Sequence, residues 1–293
     1  MAWWAELGLW LHDQFRDGNV NAEFEAKVFL QATFARLPAT VTERFLRADS
    51  ALYNEAALTW AAVQGIRFAV SADMSEALQA QVRHLPVSAW QPYRNFNERA
   101  ERTEERQWAE VPDFVPDWAR NHQKLGTPLR YVAIRVRSRQ KDLFEQEEPL
   151  AWRHFAVVTN MDWHGEHLLR WHREKQGTVE YGHNVVKNDL AGGVLSCGRF
   201  GVNAAWWRIQ LLVHNLLVLL KTVALPTTLQ DARPKTLRFR LFNLPGRLVH
   251  HARGWVLKLY RGLPFAEEMV VARGRLRELA RELRAPGRDP APA

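Results

Sequence analysis

The chain has 293 residues, of which 47% are hydrophobic and 25% charged; this composition is typical of a folded globular protein and excludes a disordered or collagen-like chain. The single cysteine, Cys197, excludes an intramolecular disulfide framework and a Cys-rich zinc site, so we expect a reducing, cytoplasmic environment. The formal net charge of +8 favours association with a polyanion.

The first 73 residues alternate between strand-like and helix-like patterns. The predicted elements are a strand over 5–15 that enters a turn, a helix over 21–37, a strand over 44–49, a helix over 50–63 and a strand over 65–70. A strand, helix, strand order with a right-handed crossover predicts a sheet that is at least partly parallel. The sequence therefore indicates an α/β core.

The pattern changes between residues 74 and 162, where tryptophan and proline interrupt polar sequence. Two strands are predicted toward the end of this segment, over 131–137 and 155–159. We interpret the segment as a β-rich insertion in the α/β core.

Helical periodicity resumes at Gly165 and continues to Leu190, with a break expected at Gly177. A second helix, over 203–225, places apolar residues along one side. Its most apolar stretch, 209–220, is interrupted by polar residues and is shorter than the roughly 20 residues that a membrane crossing requires. We therefore expect a buried core helix and no membrane partner.

Positive charge is concentrated toward the C-terminus. Between Arg233 and Arg288, 14 Lys or Arg residues accompany 4 Asp or Glu residues, a local net charge of +10. Cations and aromatic residues alternate here: Arg238, Arg240, Arg247, Arg253, Lys258 and Arg261 with Phe239, Phe242, Trp255 and Tyr260. An apolar backing could hold a basic face toward nucleic acid, although a solvated helix surface would carry the same charges. Residues beyond Pro286 are expected to be disordered.

Three carboxylates lie at or near the ends of predicted strands and helices. Asp49 and Asp73 end neighbouring predicted strands, and Glu180 lies near the start of a predicted helix. Acids that converge at the carboxyl ends of strands suit divalent cations. Aspartate at a strand end is also common as a cap or turn residue, so position alone leaves both interpretations open.

The helix that carries Glu180 displays further polar groups. Glu180, His183 and Lys187 recur at i, i+3 and i+7, which places them on one helix face. Glu180 could hold a metal ion while Lys187 contacts a phosphate, as phosphoryl transfer on DNA requires. An exposed polar face without chemistry would show the same spacing.

Several segments together resemble a known family. They include Arg-Ala-Asp-Ser-Ala-Leu-Tyr at 47–53 and Trp-His-Arg-Glu-Lys-Gln-Gly-Thr-Val-Glu at 171–180, and the others are 13–20, 68–74, His183, 187–193 and 203–207. In this order they resemble the DDE transposases of bacterial insertion sequences, most closely the insertion-sequence 1380 group.

The resemblance implies a fold and an activity. The fold would be a ribonuclease-H-like core, a mixed sheet with flanking helices interrupted by the β-rich insertion and followed by a basic C-terminal extension. The activity would be DNA transposition by phosphodiester hydrolysis and strand transfer, with Mg²⁺ or Mn²⁺ as cofactor. The partners would be DNA, at transposon ends and target, and a second copy in a synaptic homodimer, with a cytoplasmic, nucleoid-associated location.

The resemblance also divides the chain and assigns roles. The expected parts are the N-terminal half of the core (1–73), the insertion (74–162), the C-terminal half of the core (163–232) and a basic region with a disordered tail (233–293). Asp49 corresponds to the second catalytic acid and Glu180 to the final glutamate, both as metal ligands. The expected DNA-binding residues are Arg173, Lys175, His183 and Lys187.

Two departures from the family pattern matter. The family motif places tyrosine and arginine seven and four residues before the glutamate, whereas this chain has Arg173 and Gln176 there. The family's first catalytic aspartate lies on the first strand of the core, and this chain is expected to begin on the next strand. Asp13 and Asp17 are poor substitutes, since Asp17 lies in a predicted turn.

The resemblance thus implies a truncated transposase that binds metal weakly and is inactive alone. One alternative is a non-catalytic remnant that binds DNA or an intact transposase through its basic C-terminal surface. Another is an unrelated α/β hydrolase that uses the same acids on a different substrate. The distance between Asp49 and Glu180 in space would discriminate between the nucleic-acid enzyme and the hydrolase.

Overall fold

The computed structural model describes residues 1–21, 23–94, 104–120, 129–138, 151–251, 254–260, 262–263 and 265–284. Arg253, Arg261 and the tail beyond Pro286 lie outside the described residues. The chain divides into a sheet unit, Gly18–Gln176, and a helical unit, Met1–Asp17 with Gly177–Ala293. None of the helices in the described ranges combines the length and hydropathy needed to cross a bilayer.

The strands are β1 Ala2–Trp4, β2 Leu9–His12, β3 Phe45–Ala48, β4 Arg67–Ala72, β5 Gln91–Pro92, β6 Glu104–Val111, β7 Arg130–Ser138, β8 Arg153–Thr159, β9 Gly246–His251 and β10 Gly254–Leu259. The helices are α1 Ala26–Phe34, α2 Glu55–Val63, α3 Glu76–His84, α4 Asp117–Arg120, α5 Gly165–Arg173, α6 Lys175–Asn184, α7 Phe200–Val223, α8 Pro234–Leu237 and α9 Ala266–Arg284. Two π-helical turns, Val185–Asp189 and Arg238–Phe242, follow α6 and α8.

A six-stranded mixed sheet forms the centre of the sheet unit, in the order β3-β4-β8-β7-β6-β5. β3 and β4 are parallel, as the strand, helix, strand order predicts, and the other pairings are antiparallel. The predicted segment 74–162 contributes β5 to β8 to this same sheet. The α/β prediction is confirmed, and the sheet with its flanking helices is compatible with a ribonuclease-H-like core.

Both faces of the sheet are covered by apolar residues. Side chains alternate along β4 because successive residues of a strand point to opposite faces. Phe68 and Val70 join one core, in which α2 contributes Leu58 and α3 contributes Leu78. Ala69 joins the other core, to which α5 contributes its leucines. Layers of helix therefore hold β4 and its neighbour β3 from both sides.

The helical unit begins with a hairpin in place of one predicted strand. β1 and β2 pair in antiparallel fashion, and the prediction of a continuous strand over 5–15 is wrong. Gly8 adopts a φ of 67°, which glycine reaches without strain, and its N–H donates to Trp4 O at 2.9 Å. The chain therefore reverses between the two strands.

The long helical segment breaks earlier than expected. α5 ends at Arg173, and the N–H of Glu174 is shared between the carbonyls of Arg170 and Trp171, both at 3.2 Å. Gly177 lies inside α6, where no neighbouring atom approaches the position of an added Cβ within 4 Å. The expected break at Gly177 is therefore wrong, because one glycine costs a helix only about 1 kcal/mol and does not end it.

α7 is a helix, as predicted, but its apolar side is not buried. Ile209, Leu212 and Leu216 are exposed, whereas Gln210 and His214 are buried. Periodicity identifies an apolar side without saying what covers it. The expectation of a buried core helix over 209–220 is therefore wrong for that side of α7.

Candidate active site

Asp49 follows β3 directly and is exposed. Ala48, the last residue of β3, is paired in register with Val70 of the parallel strand β4. After Asp49 the chain enters a 3₁₀ turn, Ser50–Leu52, and then α2, whose first turn is capped by the Asn54 side chain accepting from Ala57 N at 3.2 Å. Sheet pairing on one side and a capped helix on the other thus fix the backbone that carries Asp49.

A polar group that we name the strand-end cluster lies next to Asp49, and it consists of Ala48, Ser71, His172 and Lys175. Lys175 Nζ donates to the Ala48 carbonyl oxygen at 2.8 Å and to Ser71 Oγ at 3.3 Å. His172 Nε2 lies 2.9 Å from the same carbonyl oxygen and 3.0 Å from Lys175 Nζ. An ammonium group is therefore held against the residue that precedes Asp49.

The electrostatics of the strand-end cluster follow from burial. Burial, reinforced by the Lys175 ammonium, lowers the pKa of the His172 imidazole to about 4, although the hydrogen bond with Ala48 acts in the opposite direction. His172 is therefore neutral near pH 7. Its neutrality leaves Lys175 as the cation of the cluster.

Arg47 links β3 to the C-terminal end of α5 and to Glu174, the residue that follows this helix. Its Nη1 donates to the Trp171 carbonyl oxygen at 2.8 Å and to Glu174 Oε2 at 2.8 Å. The guanidinium also lies 5.2 Å from the centre of the Trp171 ring. Arg173, the last residue of α5, is partly exposed on this stretch of helix.

Glu180 is exposed on α6, in the helical unit. His183, three residues on, is half-buried and packs edge-to-face on Trp10, with ring centres 5.1 Å apart. Burial lowers the pKa of His183, and the chain's N-terminal ammonium and Lys187 lower it further. Gly182 permits this packing, because an added Cβ would lie 2.8 Å from Trp10 and 2.7 Å from Trp3.

The π-helical turn Val185–Asp189 follows Glu180 and carries Lys187, which is exposed. Asp189 is buried and forms ion pairs with Arg233 at 2.8 Å and Lys235 at 3.5 Å. Turns of this kind are frequent at functional sites. The two ion pairs of Asp189 fix the position of the π-helical turn that carries Lys187.

Two glycines close the same π-helical turn. The N–H of Gly192 donates to Val186 O at 2.9 Å, and the N–H of Gly193 donates to Lys187 O at 3.2 Å. A Cβ at position 192 would lie 2.9 Å from the Val186 carbonyl oxygen, so this approach requires glycine. The Lys-Asn-Asp-Leu-Ala-Gly-Gly segment at 187–193 thus has a local structural explanation.

The six predicted site residues form two groups. Asp49, Arg173 and Lys175 belong to the sheet unit, and Glu180, His183 and Lys187 belong to the helical unit. Within the described parts of the chain, no three His, Cys, Asp or Glu side chains gather closely enough to hold a metal ion.

His172, Ser71 and Asp189 were not predicted as site residues. His172 precedes Lys175 by three residues on a helical pattern, and this spacing could have indicated a shared face. Asp189 lies within the 187–193 segment, but nothing in the sequence shows that it is buried and paired with Arg233.

A family model described as "Transposase DDE domain group 1" matches residues 3–281. The matched span includes the strand-end cluster, α6 and the π-helical turn that follows it. No curated protein matches the chain.

Proposed function

Because the chain belongs to the family of DDE transposase domains, we propose that it is a transposase of an insertion sequence, of the 1380 group, that acts on DNA. The observation that carries the proposal is the exposed Asp49 at the carboxyl end of β3, beside an ammonium group held by the Ala48 carbonyl. This is the edge of an α/β sheet at which ligands gather. We place the protein in the cytoplasm, at the nucleoid.

The acids would provide the metal ligands. Asp49 and Glu180 would hold Mg²⁺ or Mn²⁺, and both side chains are exposed and available for this role. When bound, such an ion lowers the pKa of an attacking water and stabilises the leaving oxygen of a phosphodiester. Lys175, Arg173 and Lys187 would orient DNA phosphates, and His183 would support the DNA-binding face from its position against Trp10.

We expect the metal to bind weakly. A two-metal site clamps the attacking and leaving oxygens, and an acid shared between the ions normally completes it. Asp49 and Glu180 supply two carboxylates, and no third acid joins either of them in a cluster within the described residues. The chain alone should therefore give no strand-transfer product.

Metal binding and DNA cleavage test this assignment. We expect weak Mn²⁺ binding that falls further in Asp49→Asn and in Glu180→Gln but not in Glu278→Gln, which changes an exposed glutamate on α9. Incubation with supercoiled plasmid and Mn²⁺ should give no nicked or joined DNA. Product that vanishes in Asp49→Asn would overturn the expectation of weak binding, and product that survives both substitutions would overturn the site.

A second function, DNA binding without catalysis, is favoured by the β9–β10 ribbon. Arg247 and Lys258 are exposed and directly opposite each other in this antiparallel pair. Like charges in this arrangement destabilise a sheet, and neither residue forms an ion pair with a carboxylate of the described chain. A phosphate between them would relieve the repulsion.

Trp255, the aromatic residue of the ribbon strands, is exposed and does not form an apolar layer behind a basic face. Trp255 is 71% exposed, and its ring meets His250 edge-to-face. Trp255 lies on the opposite face of the ribbon from the Arg247–Lys258 pair, because successive side chains of a strand point to alternate faces. The major groove of DNA admits such a two-stranded ribbon.

The salt dependence of binding tests the ribbon. The affinity for duplex DNA of arbitrary sequence should fall as the salt concentration rises from about 50 to 200 mM. The double variant Arg247→Gln with Lys258→Gln should reduce the slope of log K against the logarithm of the salt concentration by about 2. Lys27→Gln, which removes an exposed cation of α1, should leave the slope unchanged. Binding that is indifferent to salt would contradict phosphate contact.

A further inference from the structure

One side of α7 is apolar over its whole length and exposed to solvent. Seven of its residues recur at alternating spacings of three and four, and we name them the α7 seam: Val202, Ala205, Ile209, Leu212, Leu216, Leu219 and Val223. The three central side chains are 51%, 59% and 55% exposed. A repeat of 3.5 residues over three heptads is the pattern of a coiled-coil interface.

The orientation of α7 is fixed by polar contacts on its other side. The Asn215 amide accepts from Trp10 N and donates to Trp10 O, both at 2.9 Å, and so completes the hydrogen bonding of β2. The Asn203 amide donates to Cys197 O at 2.7 Å and accepts from Cys197 N at 3.3 Å. Rolling α7 to bury the seam would break these contacts, so the seam remains outside.

The amount of exposed apolar surface is large for a surface that remains in water. Six half-exposed aliphatic side chains present on the order of 500 Å², which is the size of the largest patch on a typical monomer. Two such surfaces, with the flanking residues Trp206, Val213 and Leu220, approach the roughly 1,200 Å² at which specific interfaces begin. The seam therefore has the area that a second helix of equal length would cover.

The residue types fit a second copy of the same helix. With Val202 as position a of the heptad, Val, Ile, Leu and Val occupy the a positions, and Ala, Leu and Leu occupy the d positions. β-branched residues at a with leucine at d favour two parallel strands. A parallel pair places each seam residue beside its own copy, so one helix supplies both halves of a two-fold interface.

Charge does not oppose the pairing. Arg208 and Lys221 are the only Lys, Arg, Asp or Glu residues of α7. Arg208, which flanks the seam, forms an ion pair with Asp13 Oδ2 at 3.2 Å. Lys221 donates to the Ala232 carbonyl oxygen at 3.5 Å, on the side of α7 that faces its own unit.

We propose that the α7 seam is the self-association surface of this protein and pairs in parallel with the same helix of a second copy. The α7 seam contains no residue of the proposed metal site. Its failure would leave the catalytic proposal untouched, and the converse also holds.

Sedimentation equilibrium tests the association. We expect the wild-type protein at micromolar concentration to have twice the chain mass of 33.9 kDa. Leu212→Glu with Leu216→Glu should weaken association by at least about 100-fold, because four leucines that the dimer interface would bury become charged. The changed residues are exposed in the single chain, so circular dichroism should stay unchanged. Val87→Glu, at an exposed residue of the sheet unit, should leave the dimer intact.

Disulfide trapping tests the parallel alignment. In a Cys197→Ser background, which removes the native thiol, Leu219→Cys should form a covalent dimer on mild oxidation, since parallel pairing brings position 219 of the two copies together. An antiparallel pair would keep these positions apart, because 219 lies away from the middle of the seam. A monomeric wild-type protein, a dimer that survives the glutamates, or the absence of the disulfide would each overturn the proposal.

Discussion

Asp49 stands at the end of a strand whose position is fixed by backbone hydrogen bonds, whereas Glu180 stands on a helix whose position is fixed by side chains. β3 pairs with β4, and the carbonyl of Ala48 receives Lys175. After Glu180, the helix passes into a π-helical turn that depends on the buried Asp189. The loss of one ion pair should therefore destabilise the helix region, where Asp189 is buried, more than the sheet unit, where the Glu166–Arg170 pair is exposed.

The difference also concerns how each region responds to protons. The strand-end cluster contains a buried imidazole, whereas the π-helical turn is held by a carboxylate between two partly exposed cations. Acid should therefore destabilise the strand-end cluster through His172. Hydrogen exchange, which reports stability region by region, can separate the two responses.

The largest expected effect is a loss of stability of the sheet unit in acid. The folded-state pKa of His172 is about 4, below its unfolded value of 6.5. The unfolded chain therefore binds more protons between these values, and stability falls as the pH drops through this window, by up to roughly 3 kcal/mol. Urea unfolding at a series of pH values, in buffer free of divalent metal, measures this loss.

His172→Gln tests whether His172 causes this loss of stability in acid. It should flatten the pH dependence of the opening free energy that exchange gives for sheet-unit peptides, once the intrinsic pH dependence of amide exchange is subtracted, because glutamine does not titrate. His84→Gln, which removes an exposed imidazole from α3, should retain the wild-type dependence. An unchanged profile in His172→Gln would show that another group controls the acid response.

A smaller effect is expected in the helical unit from Asp189→Ala. The side chain is only 2% exposed, and its removal leaves Arg233 and Lys235 without their carboxylate. Hydrogen bonds to charged groups contribute about 1.5–3 kcal/mol, and the partial exposure of both cations places the expected loss near about 2 kcal/mol. Denaturant unfolding should detect it, with exchange rising in peptides that span 185–193.

The matched control is an exposed ion pair of the sheet unit. Glu166→Gln removes the partner of Arg170 one helical turn away on α5. Such pairs contribute only about 0.3–0.5 kcal/mol, so the midpoint should scarcely move. A large loss there, or none in Asp189→Ala, would remove the distinction between the two regions.

The sequence predicted the strand end better than it predicted the helix. Residues 44–49 and 65–70 read as strands because their pattern is local, and their parallel pairing follows from the helix between them. The Asn54 cap likewise needs only its own neighbours. Elements that are specified by adjacent residues could therefore be located from the sequence.

The structural features that could not be predicted from the sequence depend on contacts between residues that are distant in the chain. Asp189 meets Arg233 from 44 positions away, and Asn215 meets Trp10 from 205 positions away. The sequence periodicity identified the apolar side of α7, but the contacts of Asn215 and Asn203 determine that this side faces outward. The metal-ligand role of Asp49 and Glu180 remains a prediction for the same reason.

The smallest expected effect concerns the residue that ends the π-helical turn. Ala191 adopts a φ of 58°, the left-handed conformation that glycine usually supplies at the end of a helix. Ala191→Gly should stabilise the helical unit by about 0.5–1 kcal/mol, since the relief of the Cβ clash exceeds the extra chain entropy of glycine. Gly192→Ala should instead destabilise it, because the new Cβ would lie 2.9 Å from the Val186 carbonyl oxygen. Thermal unfolding that shifts in opposite directions for these neighbours would show that backbone conformation at 191 and close approach at 192 are separate requirements of the turn that presents Lys187.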